Sequence, residues 1–287
     1  MSFTTLITAA ELKLHLDNPV FVVLDCRAEL TDPTAGASDF AAGHIPGAQH
    51  ADSDRDLSDK SAGPHGEFRG RHPLPSPADF IETLRGWGIY PNSQVIAYDA
   101  HGGMFAARLW WMLRWVGHDR VAVLDGGWQA WQRAGLPFTV AQPEIEPTTF
   151  SMRMQLQSAV DSSQILADLQ ERKTQVIDAR APDRYRGENE TLDPVAGHIP
   201  GAINRFFKLN LGDDGRFKSP ATLQQEFALM LDGRPAQTVI HQCGSGVTAC
   251  HNLLAMEFAG LNGSRLYPGS WSEWVSDRRR PVAGGSN

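Results

Sequence analysis

The hexapeptide Gly-His-Ile-Pro-Gly-Ala occurs twice in this chain, at 43–48 and again at 197–202. Each copy follows a short apolar run that ends in an aspartate, with an arginine two residues on: Val23-Leu24-Asp25-Cys26-Arg27 and Val176-Ile177-Asp178-Ala179-Arg180. Later, Val95-Ile96-Ala97-Tyr98-Asp99 corresponds to Val239-Ile240-His241-Gln242-Cys243, and Trp128-Gln129-Ala130-Trp131 to Trp271-Ser272-Glu273-Trp274. Four matches in one order, roughly 150 residues apart, describe a duplicated domain, because solenoid repeats are only about 20–50 residues long. Each copy must therefore own a core, and 287 residues suffice for two.

Within each copy, short branched apolar runs alternate with helix-like stretches. Phe21–Leu24, Val95–Tyr98 and Val121–Leu124 read as buried parallel strands in the first copy. Val176–Asp178, Val239–Gln242 and Ser264–Tyr267 read as their counterparts in the second. Helices are expected over Pro77–Trp87, opened by Ser76-Pro77, over Phe105–Val116 and over Val247–Ala259. The alternation predicts α/β architecture around a mainly parallel sheet, twice. Residues 1–140 form the first expected domain, and 155–287 the second. Between them, 141–154 is read as a linker because it carries two prolines and loses the helical pattern.

Composition removes several function classes. Lys and Arg number 26 against 33 Asp and Glu, a net charge of −7 that disfavours nucleic acid or an anionic membrane as partner. The best apolar stretch, Leu109 to Val116, is far short of the roughly 18 residues of a membrane span. The first residues lack a basic lead and are interrupted by Glu11, Lys13 and Asp17, unlike a secretory signal. Three cysteines make no disulfide framework, so a reducing cytoplasm is the expected location.

The chemistry concentrates in His241-Gln242-Cys243-Gly244-Ser245-Gly246-Val247-Thr248-Ala249-Cys250. Cys243 ends an apolar strand, where open α/β sheets bind ligands. The glycines that follow let successive N–H groups turn inward, and a helix start adds the positive end of its dipole. Such a cradle favours an anion, including a thiolate. Cys243 is therefore read as a nucleophile, while Cys26 and Cys250 read as small buried residues. Cys-x6-Cys has no zinc-ligand spacing, and a phosphatase loop would need an arginine where Ala249 stands.

The loop Cys-Gly-Ser-Gly-Val-Thr-Ala-Cys at 243–250, together with both Gly-His-Ile-Pro-Gly-Ala segments, closely resembles the tandem-domain rhodanese family over nearly the whole chain. Within the family the likeness is to members that use 3-mercaptopyruvate. The resemblance implies two domains, each a five-stranded, mainly parallel sheet flanked by helices, with the catalytic cysteine in the second copy alone. Asp99, in the place of Cys243, marks the first copy as silent. It further implies sulfur transfer through a Cys243 persulfide, with pyruvate as product and with thioredoxin, a small thiol or cyanide as acceptor. No metal or organic cofactor is implied.

Site residues follow from the same resemblance. Arg184 aligns with the family's substrate arginine, and the amides of Gly244, Gly246, Val247 and Thr248 are expected to hold the substrate beside it. A second substrate arginine usually lies nine residues after the first, but here that position is Asp193, and Arg186 is the expected substitute. Ser245, His72 and Asp54 match a relay that could protonate the departing enolate. Thiosulfate-specific members resemble Cys-Arg-Lys-Gly-Val-Thr in this loop, and both cations are missing here. Thiosulfate:cyanide transfer is the alternative activity, and a non-enzymatic regulatory module the remote one. Arg27 and Arg180, His44 and His198, and the paired tryptophans occur in both copies, so they are expected to be structural.

Overall fold

A computed structural model describes residues 2–171 and 173–285. Its internal contacts define two units that exchange short segments of chain. The first comprises the described residues to Asp59, Leu74–Gln157 and Asp213–Phe217; the second comprises Lys60–Pro73, Ser158–Gly212 and the described residues from Lys218.

The first unit runs β1 (Leu6–Ile7), α1 (Ala9–Lys13), β2 (Phe21–Asp25), α2 (Ala35–Ala42), β3 (Gln49–His50), α3 (Pro77–Gly86), β4 (Gln94–Tyr98), α4 (Ala106–Trp115), β5 (Val121–Leu124) and α5 (Gly127–Arg133). Its strands form one sheet in the order β1-β5-β4-β2-β3, with every pairing parallel. All residues of β4 and β5 are buried. Strands covered on both faces cannot alternate polar and apolar residues, which is why they read as unbroken apolar runs. Ser76 caps α3 by accepting the Asp79 N–H, and Pro77 occupies the first turn, where its missing N–H costs nothing. Helix α4 is buried almost all round, including Trp110 and Trp111, so it lies within the core rather than on it.

The second unit repeats the plan with α6 (Ser162–Glu171), β6 (Gln175–Asp178), α7 (Pro182–Arg186), β7 (Ile203–Asn204), α8 (Pro220–Leu231), β8 (Val239–Gln242), α9 (Ala249–Phe258), β9 (Arg265–Leu266) and α10 (Ser270–Trp274). Its sheet has four strands, again parallel, in the order β7-β6-β8-β9. The expected fifth strand is reduced to one parallel bridge between Ala159 and Leu266. The cause is the short β9, bounded by Gly263 at φ +94° and by Pro268, which has no N–H to give.

The repeated sequence segments meet around one arginine in each unit. Arg27 pairs with Asp25 at 2.5 Å, donates to the Gly43 carbonyl at 2.7 Å, and lies 4.7 Å over the Trp128 ring. Arg180 does the same with Asp178 (2.6 Å), the Gly197 carbonyl (2.7 Å) and Trp271 (4.7 Å). Strand end, Gly-His-Ile-Pro-Gly-Ala turn and tryptophan helix are thus tied by a buried ion pair, and losing one partner of such a pair costs about 3–5 kcal/mol. The repeated histidines brace the same turns: His44 bonds the Phe40 carbonyl at 2.8 Å, and His198 bonds that of Tyr185 at 2.9 Å.

Candidate active site

Strands β6 and β8 are neighbours whose last residues, Asp178 and Gln242, pair in register. The chain leaving β8 therefore emerges beside the buried Asp178–Arg180 pair. Cys243 is its first residue, 2% exposed, and its Sγ accepts the Gly246 N–H at 3.1 Å. Gly246 makes this turn at φ +80°, and a Cβ there would lie 2.3 Å from the Pro268 carbonyl oxygen. Both the backbone angle and the space demand glycine. Gly246→Ala is expected to lose about 2–4 kcal/mol of stability, measured by denaturant unfolding; a loss under about 1 kcal/mol would mean the turn re-forms around the methyl group.

The cysteine is held from its other side by Ser270. Its Oγ accepts the Cys243 N–H at 3.1 Å and donates to the Tyr267 carbonyl at 2.9 Å. Ser270 is fully buried at φ +53°, a left-handed conformation unusual outside glycine. The matching residue of the first unit is Gly127, at φ +54°. Sequence reasoning missed Ser270, although Gly126-Gly127-Trp128 set against Gly269-Ser270-Trp271 carries the signal. Beyond the cysteine, the N–H groups of Gly244, Ser245, Val247 and Thr248 have no acceptor among the described residues. Thr248 leads into α9 without a side-chain cap, so the positive end of that helix opens on the loop.

The first unit shows what this kind of loop does with an anion. Trp128 N–H bonds the Asp99 carbonyl as Trp271 N–H bonds that of Cys243, which fixes the correspondence between the two residues. The buried Asp99 carboxylate accepts four backbone N–H groups, from His101, Gly103, Phe105 and Ala106, at 2.8–2.9 Å. The first cradle is thus filled by its own side chain. Of the other cysteines, Cys26 has its thiol pushed well up by burial and by the charges of Asp99 and Asp25. Cys250 is buried and donates to the Gly246 carbonyl at 3.4 Å.

Charged groups gather at Gly244. Arg184, on α7, grips the carboxylate of Glu190 through Nε and Nη2 at 2.7–3.1 Å and reaches Asp193 at 3.4 Å. Burial alone would raise the Glu190 pKa, but the Leu192 N–H and Arg184 outweigh it and hold the group below its ordinary range. Glu190 also meets Arg180 at 3.4 Å. Burial opposes the charge on Arg180, yet Asp178, Glu190 and Cys243 together raise its pKa. Arg71 approaches from residues 60–73 and ion-pairs with Asp193; its own N–H is fixed by Ser272 Oγ at 3.1 Å. A Cβ on Gly244 would lie 2.8 Å from Arg71 Nη2 and 3.5 Å from Arg184 Nη1, so both guanidinium groups close on this one glycine.

The other expected residues are distributed unevenly. His72 Nδ1 and Ser245 Oγ share a hydrogen bond of 2.8 Å. Arg186 instead pairs with exposed Glu188 at 2.6 Å. It lies two residues beyond Arg184 on a helix, and residues so spaced do not face the same way; the second guanidinium near Gly244 is that of Arg71. Asp54 lies in the first unit, where its N–H donates to Asp52 Oδ1 at 2.9 Å. Arg71 was invisible in the sequence because its approach depends on tertiary structure, and only adjacency to His72 pointed to it. Among the described residues no group of His, Cys, Asp and Glu could hold a metal ion, and no helix is long and apolar enough to cross a membrane.

A family model described as "Rhodanese-like domain" matches residues 8–134 and 162–277. The chain is 48% identical over 286 residues to a "Probable 3-mercaptopyruvate sulfurtransferase" of Pseudomonas aeruginosa, covering 99% of this chain and 100% of that one. It is 34% identical to the "Thiosulfate sulfurtransferase" of Mus musculus, covering 92% and 87%. Among solved structures, the 3-mercaptopyruvate sulfurtransferase from Leishmania major superposes with a TM-score of 0.84 at 30% identity, over 97% of this chain and 76% of that one.

Proposed function

The chain belongs to the rhodanese-like domain family, whose domain it carries twice, and on that footing we propose that it moves sulfur from 3-mercaptopyruvate to a thiol or cyanide through a Cys243 persulfide. Cys243 thiolate attacks the donor sulfur. A bond forms between the two sulfurs, the donor C–S bond breaks, and its electron pair leaves with the pyruvate enolate. The enolate takes a proton at carbon and departs as pyruvate, while Cys243 keeps the sulfur. An acceptor thiolate or cyanide then attacks the outer sulfur and releases Cys243 thiolate. Thioredoxin and small thiols are the acceptors this reading expects besides cyanide.

The observation that carries it is the position of Cys243 Sγ, under the Gly246 N–H and beside the amides of Gly244, Ser245, Val247 and Thr248, which have no acceptor among the described residues. Those donors stabilise the thiolate and, after transfer, the persulfide anion. Arg184 presents Nη1 to Gly244, the residue after the cysteine, and a guanidinium binds a carboxylate well. Gly244 and Ser245 leave the loop without fixed positive charge, which favours a keto monocarboxylate over the thiosulfate dianion. Ser245 hydrogen-bonded to His72 supplies a route for the enolate proton. The three free, buried cysteines fit a reducing cytoplasm as the setting.

The deciding measurement compares kcat/KM for 3-mercaptopyruvate with a thiol acceptor against that for thiosulfate with cyanide. The first donor is expected to win by at least about tenfold, some 1.4 kcal/mol of transition-state preference. The likeness to a thiosulfate sulfurtransferase makes the opposite result informative, since a win for thiosulfate would overturn the donor assignment. Ser245→Ala and His72→Gln should each lower kcat with 3-mercaptopyruvate about a hundredfold. If both variants keep kcat within twofold, the proton travels another way.

A further inference from the structure

We propose that Asn210 is a positioning residue for the sulfur cradle, holding the first turn of α9 so that the amides ahead of it face Cys243 before any anion arrives. The inference rests on the reading of Cys243 as the sulfur carrier and names a residue that prepares its surroundings. Asn210 ends a short 3-10 turn, Phe207–Asn210, that follows β7. The segment is tied to the end of β6: the Arg205 N–H donates to the Asp178 carbonyl at 2.9 Å, and the Phe207 N–H to that of Ala179 at 3.2 Å. Asn210 itself is fully buried. Its Nδ2 donates to Asn252 Oδ1 at 2.7 Å and to His251 Nδ1 at 3.2 Å. Its Oδ1 accepts Arg205 Nε and Nη2 at 3.2 and 3.0 Å. The full hydrogen-bonding capacity of the amide is thus used. Asn252 Nδ2 returns to the Arg205 carbonyl at 2.9 Å and closes the network.

His251 and Asn252 are the third and fourth residues of α9. The His251 N–H donates to the Thr248 carbonyl at 3.2 Å, and the Cys250 N–H to that of Val247 at 3.1 Å. Whatever fixes this turn therefore fixes Val247 and Thr248, whose own N–H groups are open to the sulfur. The first unit shows why such a restraint is needed. There the Asp99 carboxylate accepts the N–H groups of Phe105 and Ala106, the residue ahead of α4 and its first, so an anion pins the helix start from within. Cys243 Sγ accepts only the Gly246 N–H among the described residues. Amides that had to reorient on each arrival of charge would lose much of their stabilising effect. A fully satisfied buried network behind the helix supplies the same restraint from outside.

The test uses the full chain and reads the thiolate by iodoacetamide alkylation of Cys243, followed by intact mass. At about pH 7, Asn210→Ala is expected to slow alkylation at least about fivefold. At about pH 10, where a thiol ionises without help from its surroundings, the slowing should be less than about twofold. Steady-state kcat with 3-mercaptopyruvate should fall at least about tenfold, with KM within about threefold of the parent. Asn252→Ala should act in the same direction. The double variant should lose less than the product of the single losses, as expected of residues joined by one hydrogen bond. Alkylation within about twofold of the parent at about pH 7 in both single variants overturns the role. Equal slowing at both pH values assigns Asn210 to structure or access alone and overturns it as well. If Asn210→Ala does not fold, Asn252→Ala decides by the same ratio. A parent that takes up no sulfur from either donor defeats the persulfide reading, whereas the alkylation ratio still decides the part played by Asn210.

Discussion

Cys243→Ser is expected to lose sulfur transfer from every donor by at least about a thousandfold. The substitution is close to isosteric, so the Gly246 N–H that meets Sγ at 3.1 Å can meet Oγ instead, and the fold should persist. What disappears is the sulfur nucleophile: an alkoxide is far harder to form than a thiolate, and a serine oxygen cannot carry the transferred sulfur as a persulfide. Neither remaining cysteine can take over. Cys26 is buried with its thiol pushed well up, and Cys250 is sealed under the Gly246 carbonyl. Intact-mass measurement after exposure to donor should show the parent heavier by about 32 Da, one sulfur, and the variant unchanged. A serine variant retaining a tenth of the parent rate, or still gaining sulfur, would move the chemistry away from Cys243.

The second large effect is on stability and lies in the first unit. Asp99→Ala removes the acceptor of four backbone N–H groups at once. Each unsatisfied buried donor costs about 1–3 kcal/mol, so even with partial relaxation the loss should reach about 3 kcal/mol. For a unit of this size that corresponds to a fall of roughly 10 °C in melting temperature. Differential scanning calorimetry reads this directly, and a shift of under about 2 °C would mean that water or a rearranged turn replaces the carboxylate. Cys243→Ser should leave the transition nearly in place. The pair of variants thus separates a residue kept for reaction from one kept for folding.

Much of the fold was legible because doubly covered parallel strands carry runs of apolar residues, unbroken in β5 and forming the body of β2, β4 and β6, while β8 opens with Val239-Ile240 before its two polar residues. The edge was less so. Two-residue strands such as β3 and β7 hold their place by hydrogen bonds to a neighbour rather than by a pattern of their own, and the missing fifth strand of the second sheet reflects how short β9 is. Helix α9 starts two residues later than its apolar pattern, since Val247 and Thr248 belong to the cradle. At the site, Cys243 was readable from local order alone: strand, cysteine, glycines, helix. Arg71 was not, because nothing near it in the chain specifies that it will meet Asp193 and Gly244 from more than a hundred positions away. Nor could the sequence direct the two arginines of α7 to different partners, Glu190 for Arg184 and Glu188 for Arg186.

The Asp99 cradle also bears on how the two copies have diverged. A cysteine placed at 99 would exchange an acceptor with two oxygens for a single sulfur and strand most of the N–H groups that now bind Asp99. The partner hydroxyl would be absent as well, for Gly127 stands where Ser270 supports Cys243, and a Cβ at 127 would lie 2.2 Å from the Asp99 carbonyl. Each reversal is harmful before the other is made. A lone exchange to cysteine at 99 would therefore cost the first unit the acceptor that fills its cradle before any reactivity could be gained there.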